Sequence, residues 1–280
     1  HPEIRFRFQS PHPKDFPDSV LQLIASTPNI CSALHMPAQH GASTVLERMK
    51  RGYSAKAYRD LIDRARKFIG NGESARLGLS SDFISGFCGE TEEEHEALVA
   101  LIEDVGFDQA FTYSYSERAQ THAGMFLNDD VPPDVKQRRL EEVISAFQHT
   151  SQARNARLEL GRLHVVLVEG PAKTKGTEEE RGLMWTGRTD TNKRVVFPDC
   201  AVVAGPGVLS SADVVALRRA EDGKAALDIT KSFVRATEAV VEARSFVLVK
   251  VVECRGHTLR AQALALTSIS EAYRLHVHRL

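Results

Sequence analysis

Four times between Ile4 and Glu159, a short apolar run gives way to a polar loop and then to a segment with helical periodicity. The runs are Ile4 to Phe8, Cys31 to Pro37, Leu77 to Phe87 and Ala110 to Tyr115, each too short for a buried helix. Between them lie helical signals. They begin at Phe16 to Ala25. Ser54 then caps a segment with Tyr58, Leu61, Ile62, Ala65, Phe68 and Ile69 on one face, and Thr91 and Glu94 have capping-box spacing ahead of a Gly106 stop. Strands separated each time by a helix cannot pair as hairpins; they pair in parallel through helical crossovers. The pattern therefore predicts an α/β unit with parallel strands. In such units ligands sit at the C-terminal strand ends, which places the loops after Phe8, His35, Phe87 and Tyr115 on one rim.

Asp129-Asp130-Val131-Pro132-Pro133 opens the longest helix, Pro133 to Glu159, and beyond it the period changes to two. Leu163 to Val168, Arg194 to Phe197, Phe246 to Glu253 and Thr258 to Leu266 read as short strands, with a polar turn at Gly187 to Lys193. Short strands joined by polar turns predict a small antiparallel β-barrel. The expected division is 1–157 for the α/β unit, with 133–159 as the linking helix, and 158–280 for the barrel. An Ala/Val-rich insertion at about 201–243 reads as a partly helical or disordered loop.

Composition excludes several classes. A formal net charge of −1 provides no global attraction to phosphate, so nucleic-acid binding would need a local patch. From Arg244 to Leu280 there are six Lys/Arg against two Asp/Glu, a net of +4 and a modest basic tail. No stretch approaches the roughly 20 apolar residues that span a bilayer, so no membrane partner is expected. Cys31, Cys88, Cys200 and Cys254 lie far apart, against a zinc knuckle or a redox CxxC pair, and a reducing compartment fits them best. His12, His35 and His40 have no metal-ligand spacing on a helix, so no metal site is expected. With neither an initiating Met nor a signal-peptide pattern at His1, the chain is expected to be a cut piece of a longer one.

Ser81-Asp82-Phe83-Ile84-Ser85-Gly86-Phe87-Cys88-Gly89-Glu90 is the most informative segment. From spacing alone it reads first as a tight strand-to-helix turn, with Glu90 favouring the helix dipole. The second reading is a nucleoside-binding rim, with backbone against adenine and polar side chains on ribose hydroxyls.

Several ordered stretches resemble the radical S-adenosylmethionine tRNA methylthiotransferases. They are Arg7 to Pro13, the His35-Met36-Pro37-Ala38-Gln39-His40-Gly41 turn, Met49-Lys50-Arg51-Gly52-Tyr53, Ser80 to Glu93, Phe111 to Ser116 and Val131 to Leu140. In the tail, Leu167 to Gly170 and Gly187 to Pro198 resemble the family's TRAM domain, a small RNA-binding barrel. The Gly86-Phe87-Cys88-Gly89-Glu90 form, with Cys88 where relatives often carry Pro, is similar to a eukaryotic branch associated with a cyclin-dependent-kinase 5 regulatory subunit.

The resemblance implies the C-terminal part of a radical-SAM (β/α) barrel followed by a TRAM-like barrel. It implies conversion of N6-isopentenyladenosine in the tRNA anticodon loop to its 2-methylthio derivative. It also implies S-adenosyl-L-methionine and [4Fe–4S] clusters as cofactors, tRNA as partner, sulfur and electron donors in the complete enzyme, and a mitochondrial or cytoplasmic location. The cluster cysteines of the family belong upstream of the matched region, and no cysteine here has CxxxCxxC spacing, so the chain alone is expected to be inactive with no catalytic residue of its own. Cofactor contacts carried over are Ser10, His12, Gln39, Gly41, Ser81, Asp82, Gly86, Tyr115, Ser116 and Arg118, with Gln39 and Asp82 the preferred polar ones. His40 and Ala42 depart from the family's usual Gln-Ser-Gly-Ser turn. RNA contacts expected on the barrel turn are Arg188, Asn192, Lys193, Arg194 and Phe197. Two other functions fit the same residues: a non-catalytic tRNA-binding relative, and a methylthiotransferase for another adenosine or a ribosomal protein.

Overall fold

The computed structural model describes residues 1–9, 11–70, 77–172, 184–200, 202–204, 209–231, 237–275 and 277. In the first unit the elements alternate: β1 (Phe6–Gln9), α1 (Asp18–Ser26), β2 (Ile30–His35), α2 (Ser43–Arg48), α3 (Ala55–Ile69), β3 (Gly78–Ser85), α4 (Glu92–Val105), β4 (Gln109–Ser114), α5 (His122–Phe126) and α6 (Pro133–Leu158). The four strands lie in sequence order, all parallel. Local chemistry sets the helix ends. Ser54 Oγ accepts from Ala57 N, Thr91 and Glu94 form a capping box, and Gly106 closes α4 in the left-handed conformation at φ +61°.

The helices cover one face of the sheet. Phe83, Leu79 and Leu34 from the strands meet Leu61, Ile62, Leu98, Ile102 and Phe147 in one core. Alternation along β3 sends Leu79, Ser81, Phe83 and Ser85 into that core and turns Ser80, Asp82 and Ile84 to the opposite, open face. Phe111 and Tyr113, which pair with Asp82 and Ile84, share the open face and remain exposed.

The second unit comprises β5 (Leu163–Pro171), β6 (Met184–Arg188), β7 (Arg194–Pro198), β8 (Val202–Ala204), α7 (Ser211–Arg219), α8 (Gly223–Lys231), β9 (Thr237–Ala239), β10 (Phe246–Arg255), β11 (Thr258–Thr267) and α9 (Ile269–Arg274). Strands β10, β5, β6, β7 and β11 close into a ring through β10–β11 pairing, with β8 and β9 appended to β11. The barrel is mixed rather than purely antiparallel, because β7 and β11 run parallel. With five strands in the ring and its other four pairings antiparallel, the closing β7–β11 pair has to be parallel.

The insertion is folded where it is described. It supplies α7 and α8, which cover the outer face of the barrel with α9 and bury Val214, Leu217 and Ala226 against Leu163, Leu248 and Leu264. A second core of Val166, Val195, Phe197, Val249 and Leu259 fills the interior. Strands buried on both faces account for the nearly unbroken apolar runs in β5 and β10. Lys250 interrupts the β10 run, and its buried Nζ donates to the carbonyls of Leu217, Arg218 and Ala220 at 2.7, 3.0 and 2.8 Å. It thereby caps the C-terminal end of α7, where a cation meets unsatisfied carbonyls and the negative end of the helix dipole.

The two units meet through the Thr189–Lys193 turn, which sits at the N-terminal ends of the parallel strands. Arg7 donates to Thr189 O at 3.0 Å, Ser32 N to Asp190 Oδ2 at 2.9 Å, and Gln109 Nε2 to Asn192 O at 2.7 Å. A Cβ on Gly78 would lie 2.4 Å from Thr191 O, so only glycine allows the turn to dock this closely. Strand β1 is an edge of the four-stranded sheet, and Phe6 is half exposed. It is nonetheless fastened to the barrel, because Arg5 donates to Arg188 O and Val165 O at 3.0 and 2.7 Å and lies over the Phe246 ring.

Candidate functional site

At the C-terminal ends of β3 and β4 the structure opens a cleft of about 480 Å³. Gln39, Asp82, Tyr115, Ser116 and Arg118, named from the sequence, line it together. Its floor is the open face of the sheet, through Asp82, Ile84 and Tyr113, and one wall carries Phe87, whose ring meets the Tyr115 ring edge-on at 4.8 Å. Arg48, Arg51 and Arg118 face the single carboxylate of Asp82 among the lining residues. Arg48 is committed: its guanidinium donates to Cys88 O and to both oxygens of Glu94. Burial alone would raise the Glu94 carboxyl, but the bonds from Arg48, Thr44 and the Thr91 backbone outweigh it and pull the group down to about 2. Arg51 is less committed, since its Nε is buried without a hydrogen-bond partner. Asp82 sits 3.4 Å from His35 Nε2, and His35 Nδ1 is 3.0 Å from Ser80 Oγ, which orients the imidazole along the sheet.

The turn that delivers Gln39 is held from behind. Gln39 adopts φ +66°, unusual for a side chain with a Cβ, and its backbone bridges to β3, with Gln39 N donating to Asp82 O and Ile84 N to Gln39 O, both at 2.9 Å. Next to it, His40 turns away from the cleft and is fully buried. Its Nδ1 accepts from Ala42 N at 3.1 Å, so Nε2 carries the hydrogen donated to Glu90 Oε2 at 3.2 Å. Glu90 also accepts from Phe87 N at 3.1 Å and from Arg139 Nη1 at 3.1 Å. Burial would raise this carboxyl; the His40 bond and the N–H groups of Phe87 and Gly86 outweigh it, so Glu90 stays below its ordinary range. The rim loops after β2 and β3 are thus tied to helix α6 through one buried ion pair. His40, read as a departure from a hydroxyl-bearing turn, supplies a tie instead.

Four of the other sequence-named residues do not line this cleft. Ser81 is fully buried on the helix side and its Oγ accepts from Ala38 N at 2.9 Å, so it shapes the Gln39 turn and does not reach the cleft. Gly41 packs against α4, where a Cβ would lie 2.0 Å from Ala97 O, and its role is close approach. Gly86, at φ +71°, leaves room for Lys136, whose Cγ would lie 2.5 Å from an added Cβ. His12 accepts from Lys14 N at 3.3 Å and rests edge-on against Tyr53, apart from the cleft lining. Ser10 lies outside the described residues. Sequence reading missed Arg48, Arg51, Phe87 and His122. The Met49 to Tyr53 stretch carries part of the family resemblance, and an arginine next to a rim turn is the sequence signal for Arg51.

The RNA contacts divide sharply. Phe197 is wholly inside the barrel and Lys193 is 2% exposed, with its Nζ 2.8 Å from Asp108 and hydrogen-bonded to Asn155. Alternation places Val195 and Phe197 inward, and closure against the α/β unit buries the turn, so neither side chain is presented to a ligand. Asn192, at φ +62°, gives its carbonyl to Gln109 and Arg188. Arg188 and Arg194 pair directly across β6 and β7 on the outer face, where Arg260 on β11 joins them in register with Val196. Arg188, Arg194 and Arg260 make this outer barrel face basic, with Arg188 facing Glu169 and Arg260 facing Glu253; the tail adds less than its count suggested, because Lys250 is buried and Arg255 also contacts Glu253.

An iron–sulfur cluster does not fit these residues. Among the described residues, the group of three or more His, Cys, Asp or Glu side chains with ligand atoms within 4.8 Å of one another is Glu92, His95 and Glu142, which holds no thiolate and is engaged by Arg138. The nucleoside half of S-adenosylmethionine does fit the cleft: aromatic edges at Phe87 and Tyr115, a carboxylate at Asp82 for hydroxyls, and the Arg51 side chain on the lining. No helix among the described residues is long and apolar enough to cross a membrane.

No family model matches the chain. Individual proteins do. It is 42% identical over 276 residues to a CDK5RAP1-like protein of Oryza sativa, covering 99% of this chain and 40% of that protein. It is 41% identical over 273 residues to the human mitochondrial tRNA methylthiotransferase CDK5RAP1, covering 97% and 39%. It is 43% identical over 198 residues to the tRNA-2-methylthio-N(6)-dimethylallyladenosine synthase of Chloroherpeton thalassium, covering 71% and 41%. A solved structure of coproporphyrinogen III oxidase (HemN) from Escherichia coli, described as a radical SAM enzyme, superposes with a TM-score of 0.44 at 14% identity over 68% of this chain and 47% of that one, a likeness too slight to add weight. The chain spans about two fifths of the length of the curated relatives it matches, and it belongs, over that span, to the tRNA methylthiotransferase family.

Proposed function

We propose that this chain forms the nucleoside side of an S-adenosylmethionine site and the RNA-handling barrel of a tRNA methylthiotransferase that converts N6-isopentenyladenosine to its 2-methylthio derivative. The observation that carries the proposal is the convergence of Gln39, Asp82, Tyr115, Ser116 and Arg118, from strand β3 and the loops after β2 and β4, on one cleft at the C-terminal strand ends. The names of the human and bacterial relatives support the reaction, and the human name supports a mitochondrial location. When bound, S-adenosylmethionine supplies the adenosyl group and methyl group of the family's chemistry. Asp82 would accept from ribose hydroxyls, Gln39 would hold the same edge through its fixed backbone, and Arg51 and Arg118 would receive the carboxylate end. The Arg188, Arg194 and Arg260 face of the barrel would track RNA phosphates, with affinity falling as salt rises.

Binding of radiolabelled S-adenosylmethionine to the whole protein tests the cleft. Asp82→Asn and Arg51→Met should each weaken it by about ten-fold, the loss of one charge-assisted hydrogen bond. Arg255→Ala on the barrel should leave it unchanged. Wild-type affinity in both cleft variants would overturn the assignment.

A further inference from the structure

Beside the cleft mouth, the short helix α5 is amphipathic in an unusual sense. Its inner side, Ala123 and Leu127 at i and i+4, packs on the Phe87, Cys88 and Tyr115 cluster. Its outer side, His122, Met125 and Phe126, is bare: Met125 is 59% and Phe126 70% exposed. The His122 and Phe126 rings lie 5.0 Å apart with a 41° tilt, forming a single ledge of imidazole and phenyl. The ledge is braced. Thr121 Oγ1 accepts from Gly124 N at 3.2 Å and donates to Arg118 O at 2.8 Å, and a Cβ on Gly124 would stand 2.3 Å from that same carbonyl. The segment is thus closed on itself, and Arg118, Thr121, His122 and Ala123 all line the cleft.

We propose that the His122–Phe126 ledge is a stacking platform for an unpaired RNA base adjoining the target adenosine, an inference that rests on the proposed function and names the substrate contact at the same site. Exposed aromatic rings on a braced backbone are costly to hydrate, and a nucleobase face covers them without demanding a particular sequence. The occupant is argued from charge. Arg51 and Arg118 against Asp82, with Arg48 already engaged by Glu94, give the adjoining cleft a cationic excess that suits a phosphodiester chain. An adenosine reaching the cleft must leave its stack, and a platform at the lip gives the neighbouring base a surface to replace the one it loses.

The test uses the whole protein and a labelled RNA hairpin with 2-aminopurine in its single-stranded loop, read by anisotropy and by quenching of the reporter. Phe126→Ala should weaken binding by roughly ten-fold, within the range for loss of one base–aromatic stack, and abolish the quenching. Phe126→Trp should keep both, and both variants should keep wild-type affinity for S-adenosylmethionine, since Phe126 points to solvent. Unchanged RNA affinity and quenching in Phe126→Ala would overturn the platform, and that is also the outcome if the ledge docks another protein. Failure of the wild-type protein to bind the hairpin would overturn the proposed function and the platform with it. Failure to bind S-adenosylmethionine, with RNA binding still dependent on Phe126, would overturn the cofactor assignment alone and support the ledge.

Discussion

Arg139→Met removes the cation from the ion pair behind the rim, and the structure gives the size of the consequence. Glu90 is fully buried and Arg139 is 6% exposed, with Nη1 3.1 Å from the carboxylate and 2.9 Å from the Glu90 carbonyl. Methionine fills the stem volume but leaves the carboxylate with only the His40 side chain and the Phe87 and Gly86 backbone hydrogens. Breaking one side of a buried pair costs about 3–5 kcal/mol, and a chain of this size loses about 2 °C of melting temperature per kcal/mol. A fall of about 6–10 °C is expected. Because the loss comes from a stranded charge, Glu90→Gln in the same background should recover part of it, so the double variant is less destabilised than the sum of the singles. Urea denaturation of the four proteins measures the cycle. Strict additivity, or a loss below about 1 kcal/mol in Arg139→Met, would refute the claim that a buried charge pair holds the rim loops.

Three further outcomes are expected. Lys193→Met removes the cation between Asp108 and Glu159 and should cost about 3 kcal/mol in urea denaturation; a smaller salt slope of RNA binding with unchanged stability would instead place Lys193 on RNA. Gly41→Ala forces a Cβ to within 2.0 Å of Ala97 O, backbone that cannot yield as a side chain would, so the variant should lose about 2 kcal/mol or more and melt earlier. Glu94, held at about 2 against an ordinary 4.5, binds fewer protons folded than unfolded between those values. Its contribution is therefore present above about pH 4.5 and lost as pH falls towards 2, and Glu94→Gln should flatten the stability-versus-pH slope in that window by up to one proton.

The parallel α/β unit was legible because its information is local. Ser54, Thr91, Glu94 and Gly106 mark helix ends with their own side chains or backbone freedom, and alternating strand and helix periods force crossovers. The rim followed from strand direction alone, and five of the residues named for it meet in the cleft. The barrel turn at Gly187 to Lys193 was equally local, since β6 and β7 are joined there.

Which side chains the rim presents was decided only in three dimensions. Ser81 and Asp82 are neighbours of similar polarity, and the phase of β3 against its helices sends one inward and the other to the cleft; a one-residue slip would exchange them. Lys193 and Phe197 look like an RNA-binding pair in the sequence, yet closure of the barrel and docking of its turn onto Gly78 bury both. The insertion's amphipathic helices needed the outer barrel face, and Lys250 needed the end of α7, partners distant in the chain. Sequence by itself determined the four parallel strands, their order and the end of the sheet on which the cleft opens, because periodicity and capping are short-range. Tertiary structure alone decided which polar groups are left for a ligand, because burial depends on what packs against each face.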